Sequence, residues 1–286
     1  MKLKADFFGD WINILKNTLS NEWGCNIASV PDSKIPVLYF NTESRRPAKK
    51  IREVILADTF VCPKELEEGF NRLISRVESG KDLTMNLSKK IFSPNKTDPM
   101  LNDWGVHHFH LNENDDGSFE KGSEFLVFAW LFNDKFYVIG IFAHKTWENK
   151  EVVEIMHRNW SKELEGYKVL DDLGSDNLTE QQRKRLREAG VNVISSIEGG
   201  PSYFPIGGGF AGQGFNVQSV IQVDKQKIIL RDLQNIIASK LEGYLGLFVK
   251  RGYKGEPEIE AVLSMDGADY IVTFPKYDFS ETYELR

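Results

Sequence analysis

The clearest structural signal of this chain is the segment Glu124-Phe-Leu-Val-Phe-Ala-Trp-Leu-Phe132-Asn-Asp134-Lys-Phe-Tyr-Val-Ile-Gly-Ile-Phe-Ala143. It contains two apolar runs separated by Asn133-Asp134, a dipeptide typical of a tight hairpin turn. The first run is apolar at every position from Phe125 to Phe132, as expected for a strand that is covered on both faces. The sequence therefore predicts an antiparallel hairpin inside a sheet.

A third strand-like run, Val106-His-His-Phe-His-Leu111, precedes this hairpin. Side chains of a strand point alternately to its two faces. We therefore expect His107 and Phe109 to face the core, and His108 and His110 to lie together on the more open face. Three antiparallel strands result, with histidines on the first.

Helical patterns surround these strands in the sequence, and short strand patterns are interspersed with them. The helical patterns cover 3–20, 47–58, 64–77, 149–165, 178–190 and 227–241, and the strand patterns cover 34–40, 191–197 and a hairpin at 259–274. We predict an α+β protein with a mostly antiparallel central sheet flanked by helices. It would comprise a mainly helical N-terminal region (1–98), the histidine-bearing sheet with one helix (99–165) and a mixed C-terminal region (166–286). Residues 93–99, proline-bearing and polar, are the candidate linker.

Composition excludes several classes of protein. The 286 residues are 41% hydrophobic and 27% charged, which is typical of a globular domain rather than a disordered chain. Two cysteines make no disulfide framework, and no apolar run approaches the ~20 residues that span a bilayer. The N-terminus has no signal-peptide core. We therefore expect a cytoplasmic protein without a membrane partner.

The charge is unevenly distributed along the chain. The net charge is −6, but residues 1–100 carry an excess of three positive charges. Basic residues cluster at 45–52 and 89–96 in this part. If the partner is a polyanion, the positive surface must come mostly from this N-terminal third.

All five histidines lie between His107 and His157, and three belong to the first strand of the predicted sheet. Histidine exchanges protons near neutral pH and is the commonest metal ligand, so this concentration nominates a functional site. Three hypotheses are open: a metal site, metal-free acid–base catalysis, and a structural role for the histidines.

The first hypothesis is a site for a divalent transition metal. A His-x-His pair on one strand face, His108 and His110, can converge on one ion, with His144 and a carboxylate such as Glu113 or Asp103 completing the shell. The run is loosely similar to the metal motif of cupins, although it lacks that family's proline-glycine pair before the later histidine.

The second hypothesis is cleavage of RNA without a metal or other cofactor. One imidazole, His108 or His110, withdraws the proton of a ribose 2′-hydroxyl, and His144 protonates the leaving oxygen. Lys145 or Lys121 neutralises the charge that develops on the phosphate.

Aromatic residues near the histidines in the sequence are candidates for substrate binding. Trp104, Tyr137 and Trp147 bracket the cluster, and aromatic rings of this kind stack on unpaired bases. Together with Lys121 they form the predicted substrate-binding set, and core packing is the competing expectation for at least two of the three aromatic residues.

The span 124–148 resembles the closing hairpin of RelE-type toxins, in which a basic strand precedes a turn, two hydrophobic strands and a terminal His-Arg or His-Lys. Those toxins belong with barnase, EndoU and certain colicins to a set of metal-independent ribonucleases. The resemblance covers residues 100–150, about a sixth of the chain. It implies roles for His144 and Lys145 at the terminal pair and for His108 and His110 on the preceding strand.

This resemblance implies an endoribonuclease that is a toxin or phage-defence effector, with RNA as substrate and a protein inhibitor or antitoxin as partner. The chain departs from RelE toxins in one respect, since its preceding strand carries histidines instead of arginines. That arrangement is more similar to the two histidines and lysine of EndoU.

The third hypothesis is a non-catalytic binding or structural protein. In that case the histidines only satisfy hydrogen bonds, and the protein binds a partner without turning over any substrate.

Overall fold

The computed structural model describes residues 1–111, 124–143, 150–169 and 178–284. The helices in these ranges are α1 (Phe7–Asn17), α2 (Ile35–Ser44), α3 (Glu67–Glu78), α4 (Pro99–Trp104), α5 (Glu151–Trp160), α6 (Glu180–Glu188), α7 (Val217–Lys240) and α8 (Leu245–Lys250). The strands are β1 (Lys2–Lys4), β2 (Glu53–Leu56), β3 (Val106–His110), β4 (Phe125–Phe132), β5 (Lys135–Ala143), β6 (Ser195–Ser196), β7 (Ser202–Tyr203), β8 (Glu258–Glu260), β9 (Val262–Asp266), β10 (Asp269–Phe274) and β11 (Phe279–Tyr283). None of these helices is long and apolar enough to cross a membrane.

The chain divides into two compact units, one made of residues 1–39 and 221–286 and the other of residues 40–220. In the first unit, β9, β10 and β11 form an antiparallel sheet, and β1 pairs in parallel with β8. The C-terminal hairpin predicted from the sequence is confirmed as β9 and β10. Helix α1 is tied to β9, because the Leu263 N–H donates to the Asp10 carboxylate at 2.9 Å.

The second unit contains the sheet with the histidines, in the order β2-β5-β4-β3. The predicted α+β class and the antiparallel run of β3, β4 and β5 are confirmed, but β2 pairs with β5 in parallel. The turn between β4 and β5 works without glycine because Asn133 adopts a φ of 54°, which asparagine tolerates better than most residues. Strand β3 therefore lies at one edge of the sheet.

Two of the predicted elements are wrong. The helix expected at 47–58 is replaced by β2, since Glu53 N–H donates to the Asp134 carbonyl at 2.9 Å and the strand continues along β5. The strand expected at 34–40 belongs to α2, in which Pro36 occupies the first turn where it is tolerated. In both cases tertiary pairing or packing outweighed a short local pattern, which is ambiguous for runs of this length.

Both faces of the sheet are covered, as the apolar pattern of β4 predicted. One face carries Val106, Phe128 and Trp130 and packs with residues of α5. The opposite face carries Phe109 and Val127 and packs with residues of α3. The sheet is thus a central layer between two apolar cores, and its free edge at β3 is where polar groups can collect.

Helix α4 delivers the chain into β3 and is held at both ends. At its start, the Asp98 carboxylate caps the helix by accepting the Leu101 N–H at 3.1 Å. At its end, Gly105 has a φ of 70°, a conformation that favours glycine. Residues 93–99, the candidate linker, lie within the second unit, where Asn41 Nδ2 donates to the Pro94 carbonyl at 2.8 Å.

The glycine-rich segment 207–214 covers the C-terminal end of α4. The Gly207 N–H donates to the Asp103 carbonyl at 3.0 Å, and the Gly209 N–H donates to the Asn102 carbonyl at 2.8 Å. A Cβ on Gly207 would overlap the carbonyl oxygen of Leu101 and lie 2.6 Å from that of Asn102. Glycine is required here because two backbone segments approach too closely for any side chain.

We predict that Gly207→Ala destabilises the protein by about 2–4 kcal/mol, because a rigid backbone must move to admit the methyl group. Gly212→Ala is the matched control, since a Cβ there meets nothing within 4 Å. Urea unfolding of both variants measures the effect. Equal midpoints for the two variants would contradict the packing role of Gly207.

Candidate active site

A pocket with a volume of about 710 Å³ lies beside the free edge of β3 in the second unit. Its wall is built from segments that are distant in sequence. These are Arg45 at the end of α2, residues 87–91, the start of α4 at residues 97–100, His107 and His108 of β3, and Lys184, Arg187 and Glu188 of α6. The edge position of β3 allows two neighbouring histidines to line one cavity.

His108 lies beside a carboxylate at the pocket wall. Its Nδ1 lies 3.4 Å from Oδ2 of Asp98, and both side chains are largely buried. The other oxygen of Asp98 caps α4, so the helix start holds the carboxylate in position. A carboxylate at this distance from the ring stabilises the positive charge that the imidazole acquires when it takes a proton.

His107 is buried at the same pocket, with its ring 5.9 Å from that of Phe109. Burial lowers the pKa of His107 to about 4, an effect that Asp98 opposes and the nearby His108 and Arg52 reinforce. The side chain is therefore a neutral hydrogen-bonding group at neutral pH. Two adjacent histidines thus occupy different environments.

Cationic side chains outnumber carboxylates on the pocket wall even when Arg187, whose charge is offset by Asp103, is left out of the count. Arg45, Lys90 and Lys184 then stand against Asp98 and Glu188. Arg45 is buried and held by hydrogen bonds to the carbonyls of Asn41, Lys90 and Ser93. The two lysines are exposed. Although the chain is acidic overall, this cavity is suited to an anion.

Arg187 joins the pocket wall to the core. Its Nε donates to Oδ2 of Asp103 at 2.6 Å, with only 4% and 1% of the two side chains exposed. Its guanidinium also lies 3.9 Å from the ring centroid of Trp104, whose indole N–H donates to Ser195 at 3.1 Å. Asp103, a candidate metal ligand in the sequence analysis, is bound to this arginine.

Two of the aromatic candidates for substrate binding are core residues, which was the competing expectation for at least two of the three. Trp104 and Tyr137 are each about 1% exposed. The Tyr137 ring packs between Trp130 and Trp160, and burial raises the pKa of its hydroxyl to about 12. Proximity in sequence was misleading because both faces of the sheet are covered, so aromatic residues of these elements pack inward.

His110 lies on the same side of β3 as His108, as predicted, and is half-buried. Its carbonyl accepts a hydrogen bond from Asn86 at 2.9 Å. It is not among the residues that line the pocket, whereas His107 is. Of the three histidines of β3, His107 and His108 line this cavity, and the convergence of His108 and His110 on a metal stays a prediction.

The remaining predicted site residues lie outside the described residues. They are Glu113, Lys121, His144, Lys145 and Trp147. Within the ranges that the structure describes, no group of three histidine, cysteine or acidic side chains is placed to hold a metal ion. The metal hypothesis depends on two of the residues outside these ranges, and it stays a prediction.

Sequence reasoning missed Asp98, Lys184 and Glu188 as site residues, whereas Lys90 belongs to a basic cluster that it named as positive surface. Asp98-Pro99 carried a local signal, since it is a typical helix start, but nothing in its spacing connects it with His108. Lys184 and Glu188 have no distinguishing pattern. Only the packing of α6 and of residues 87–91 around β3 brings them together.

Comparisons with protein-family models, with curated proteins and with solved structures found no match to this chain.

We predict that His107 makes the protein sensitive to acid. Its folded-state pKa of about 4 lies below the ordinary 6.5, so the unfolded chain gains a proton first as the pH falls. Stability should decline between about pH 6.5 and 4, by up to about 3 kcal/mol. Unfolding midpoints of the wild type and His107→Gln across this range measure the decline.

The His107→Gln protein should show a shallower decline, while the control His157→Gln should keep the wild-type slope. His157 lies away from the pocket with Nδ1 2.7 Å from the Tyr203 hydroxyl. Identical slopes for the wild type and His107→Gln would contradict the assignment of a buried neutral imidazole.

We also predict that Arg187→Leu costs about 3–5 kcal/mol of stability, because it leaves the Asp103 carboxylate buried without its cation. The double variant Asp103→Leu/Arg187→Leu should be more stable than Arg187→Leu alone, since both buried charges are then removed. Denaturant unfolding of the two variants tests this. If Arg187→Leu alone is as stable as the wild type, the ion pair between Arg187 and Asp103 does not hold α6 against α4.

Proposed function

We propose that this protein is a metal-independent endoribonuclease whose active site is the pocket beside β3. The observation that carries the proposal is the pairing of His108 with Asp98 inside a cavity with excess positive charge. This combination supplies a positioned proton-transfer group together with cations for a phosphate. The resemblance of residues 100–150 to RelE- and EndoU-type ribonucleases supports the same reaction.

In the proposed reaction, His108 takes the proton of a ribose 2′-hydroxyl, and the Asp98 carboxylate, 3.4 Å from Nδ1, stabilises the imidazolium that forms. The 2′-oxygen attacks phosphorus and the bond from phosphorus to the 5′-oxygen breaks. The leaving 5′-oxygen receives a proton from a second group. The products are a 2′,3′-cyclic phosphate and a 5′-hydroxyl, with no net redox change and no metal.

Two residues are candidates for the second proton-transfer group. The resemblance assigns this role to His144, with Lys145 as phosphate clamp. The pocket wall itself contributes the carboxyl of Glu188. Lys90 and Lys184 stand at the same wall and would stabilise the negative charge of the pentavalent phosphorus.

A ribonuclease of this kind would act in the cytoplasm as a toxin or phage-defence effector. A protein inhibitor would keep it inactive. Growth arrest on expression of the wild type but not of His108→Ala would support this role.

We predict that His108→Ala lowers the rate of cleavage of single-stranded RNA by about 10²–10⁴-fold, in buffer that contains a chelator. Asp98→Asn should also lower the rate, because asparagine does not stabilise an imidazolium. The loss should be smaller than that of His108→Ala, since His108 is still present and asparagine still caps α4. Gel separation of the fragments, with detection of the cyclic phosphate end, is the measurement.

His157→Gln is the control, since this histidine lies outside the pocket. Among His144→Ala and Glu188→Gln, the variant with the larger loss identifies the second proton-transfer group. Parental cleavage by His108→Ala would exclude the proposed mechanism. Activity that disappears on chelation and returns with a transition metal would favour the metal site, and binding of a protein without RNA turnover would favour the non-catalytic alternative.

A further inference from the structure

The interior and the rim of the pocket differ in character. Leu87, Ile91 and Met100 line it and are buried, with at most 7% of each residue exposed. The exposed side chains of Lys90 and Lys184 belong to the same wall. The pocket therefore has an apolar interior and a cationic rim, which suits a ligand with a flat apolar body and an anionic group.

His107 adds a polar group to this apolar interior. It is a buried side chain of the pocket wall, and its ring is fixed beside Phe109. A neutral imidazole offers one hydrogen-bond donor and one acceptor, and the polar edge of a nucleobase can meet both. Since protonation is disfavoured here, this pair of groups persists throughout the neutral pH range.

Lys90 is suited to bind the anionic group. Its side-chain ammonium forms no hydrogen bond or ion pair with any other residue in the part of the chain that the structure describes. Its backbone carbonyl is anchored by Arg45 at 3.1 Å, so the position of the lysine on the rim is defined.

We propose that this pocket binds one unpaired nucleotide, with the base in the apolar interior against His107 and the phosphate at the rim against Lys90 and Lys184. The volume of about 710 Å³ lies within the range of small-ligand sites, roughly 300–1,000 Å³. The inference deepens the proposed function, on which it rests for the identity of the nucleotide as part of an RNA chain.

Two properties of the substrate follow. A base enters the pocket only when it is unstacked and unpaired, so single-stranded RNA is selected over a duplex. The edge of the base lies at His107, so the pocket discriminates among the four bases at one position. Phosphate contacts at the rim contribute affinity that does not depend on the base.

The test measures the binding of the four nucleoside 3′-monophosphates and of inorganic phosphate by calorimetry, a method that requires no turnover. We expect one or two nucleotides to bind more tightly than the others and than inorganic phosphate. His107→Phe should lower the affinity for the preferred nucleotide by about tenfold and the affinity for the least preferred nucleotide by much less. Only the preferred base forms hydrogen bonds with the imidazole. Lys90→Ala should weaken all four nucleotides to a similar extent.

Lys64→Ala, a substitution of an exposed lysine away from the pocket, is the control and should bind like the wild type. The Lys90 side chain is exposed, so Lys90→Ala should fold. This variant therefore tests the site even if His107→Phe does not fold. The same oligonucleotide, alone and annealed to its complement, should bind only in the single-stranded form.

The inference is overturned if no nucleotide binds better than inorganic phosphate, or if both pocket variants bind like the wild type. These outcomes are separable from those of the cleavage assay. Selective binding that depends on His107, in a protein that cleaves no RNA, would refute the proposed function and retain the nucleotide site. Cleavage that depends on His108, in a protein that binds none of the nucleotides, would support the proposed function and refute the nucleotide site.

Discussion

The buried ion pair between Arg187 and Asp103 is the interaction on which the site depends. Its atoms lie 2.6 Å apart with almost no exposure, and the Trp104 ring lies 3.9 Å from the guanidinium. A charge buried in this way is tolerated only when its partner is in place, so the pair strongly favours one placement of α6 against α4. Helix α4 begins at the Asp98 cap and leads through Gly105 into β3. The pair therefore aligns the elements that carry the carboxylate, the histidines and part of the cationic wall.

The edge position of β3 explains how one strand supplies two different histidines to one cavity. The side chains of His107 and His108 point to opposite faces, yet both reach the pocket because β3 is the last strand of this sheet among the described residues. Desolvation keeps the first neutral, whereas the second faces the carboxylate of Asp98. Identical side chains acquire distinct chemistry from their surroundings, as is general for paired titratable groups in enzyme sites.

The parts of the fold that could be predicted are those with a strong local pattern. The β4–β5 hairpin was recognisable because a strand covered on both faces is apolar at every position, and α6 because Thr179 forms a capping box with Gln182. Strand β2 and helix α2 were missed because their short runs suit either conformation and tertiary pairing decides between them. Trp104 was a candidate for substrate binding because it lies close to the histidines in the sequence. In the folded protein its side chain is buried in the core.

The central hairpin and the alternation of histidines along β3 could be predicted from consecutive residues, because backbone periodicity acts over a few positions. The basic character of the N-terminal third is likewise a property of the sequence alone. The packing of distant segments, in contrast, brings Asp98 to His108, places His107 and not His110 at the cavity, and sets Lys90 and Lys184 on the same wall. The pocket arises where distant segments pack against a free sheet edge, and such contacts depend on the complementarity of whole surfaces, which no local spacing encodes.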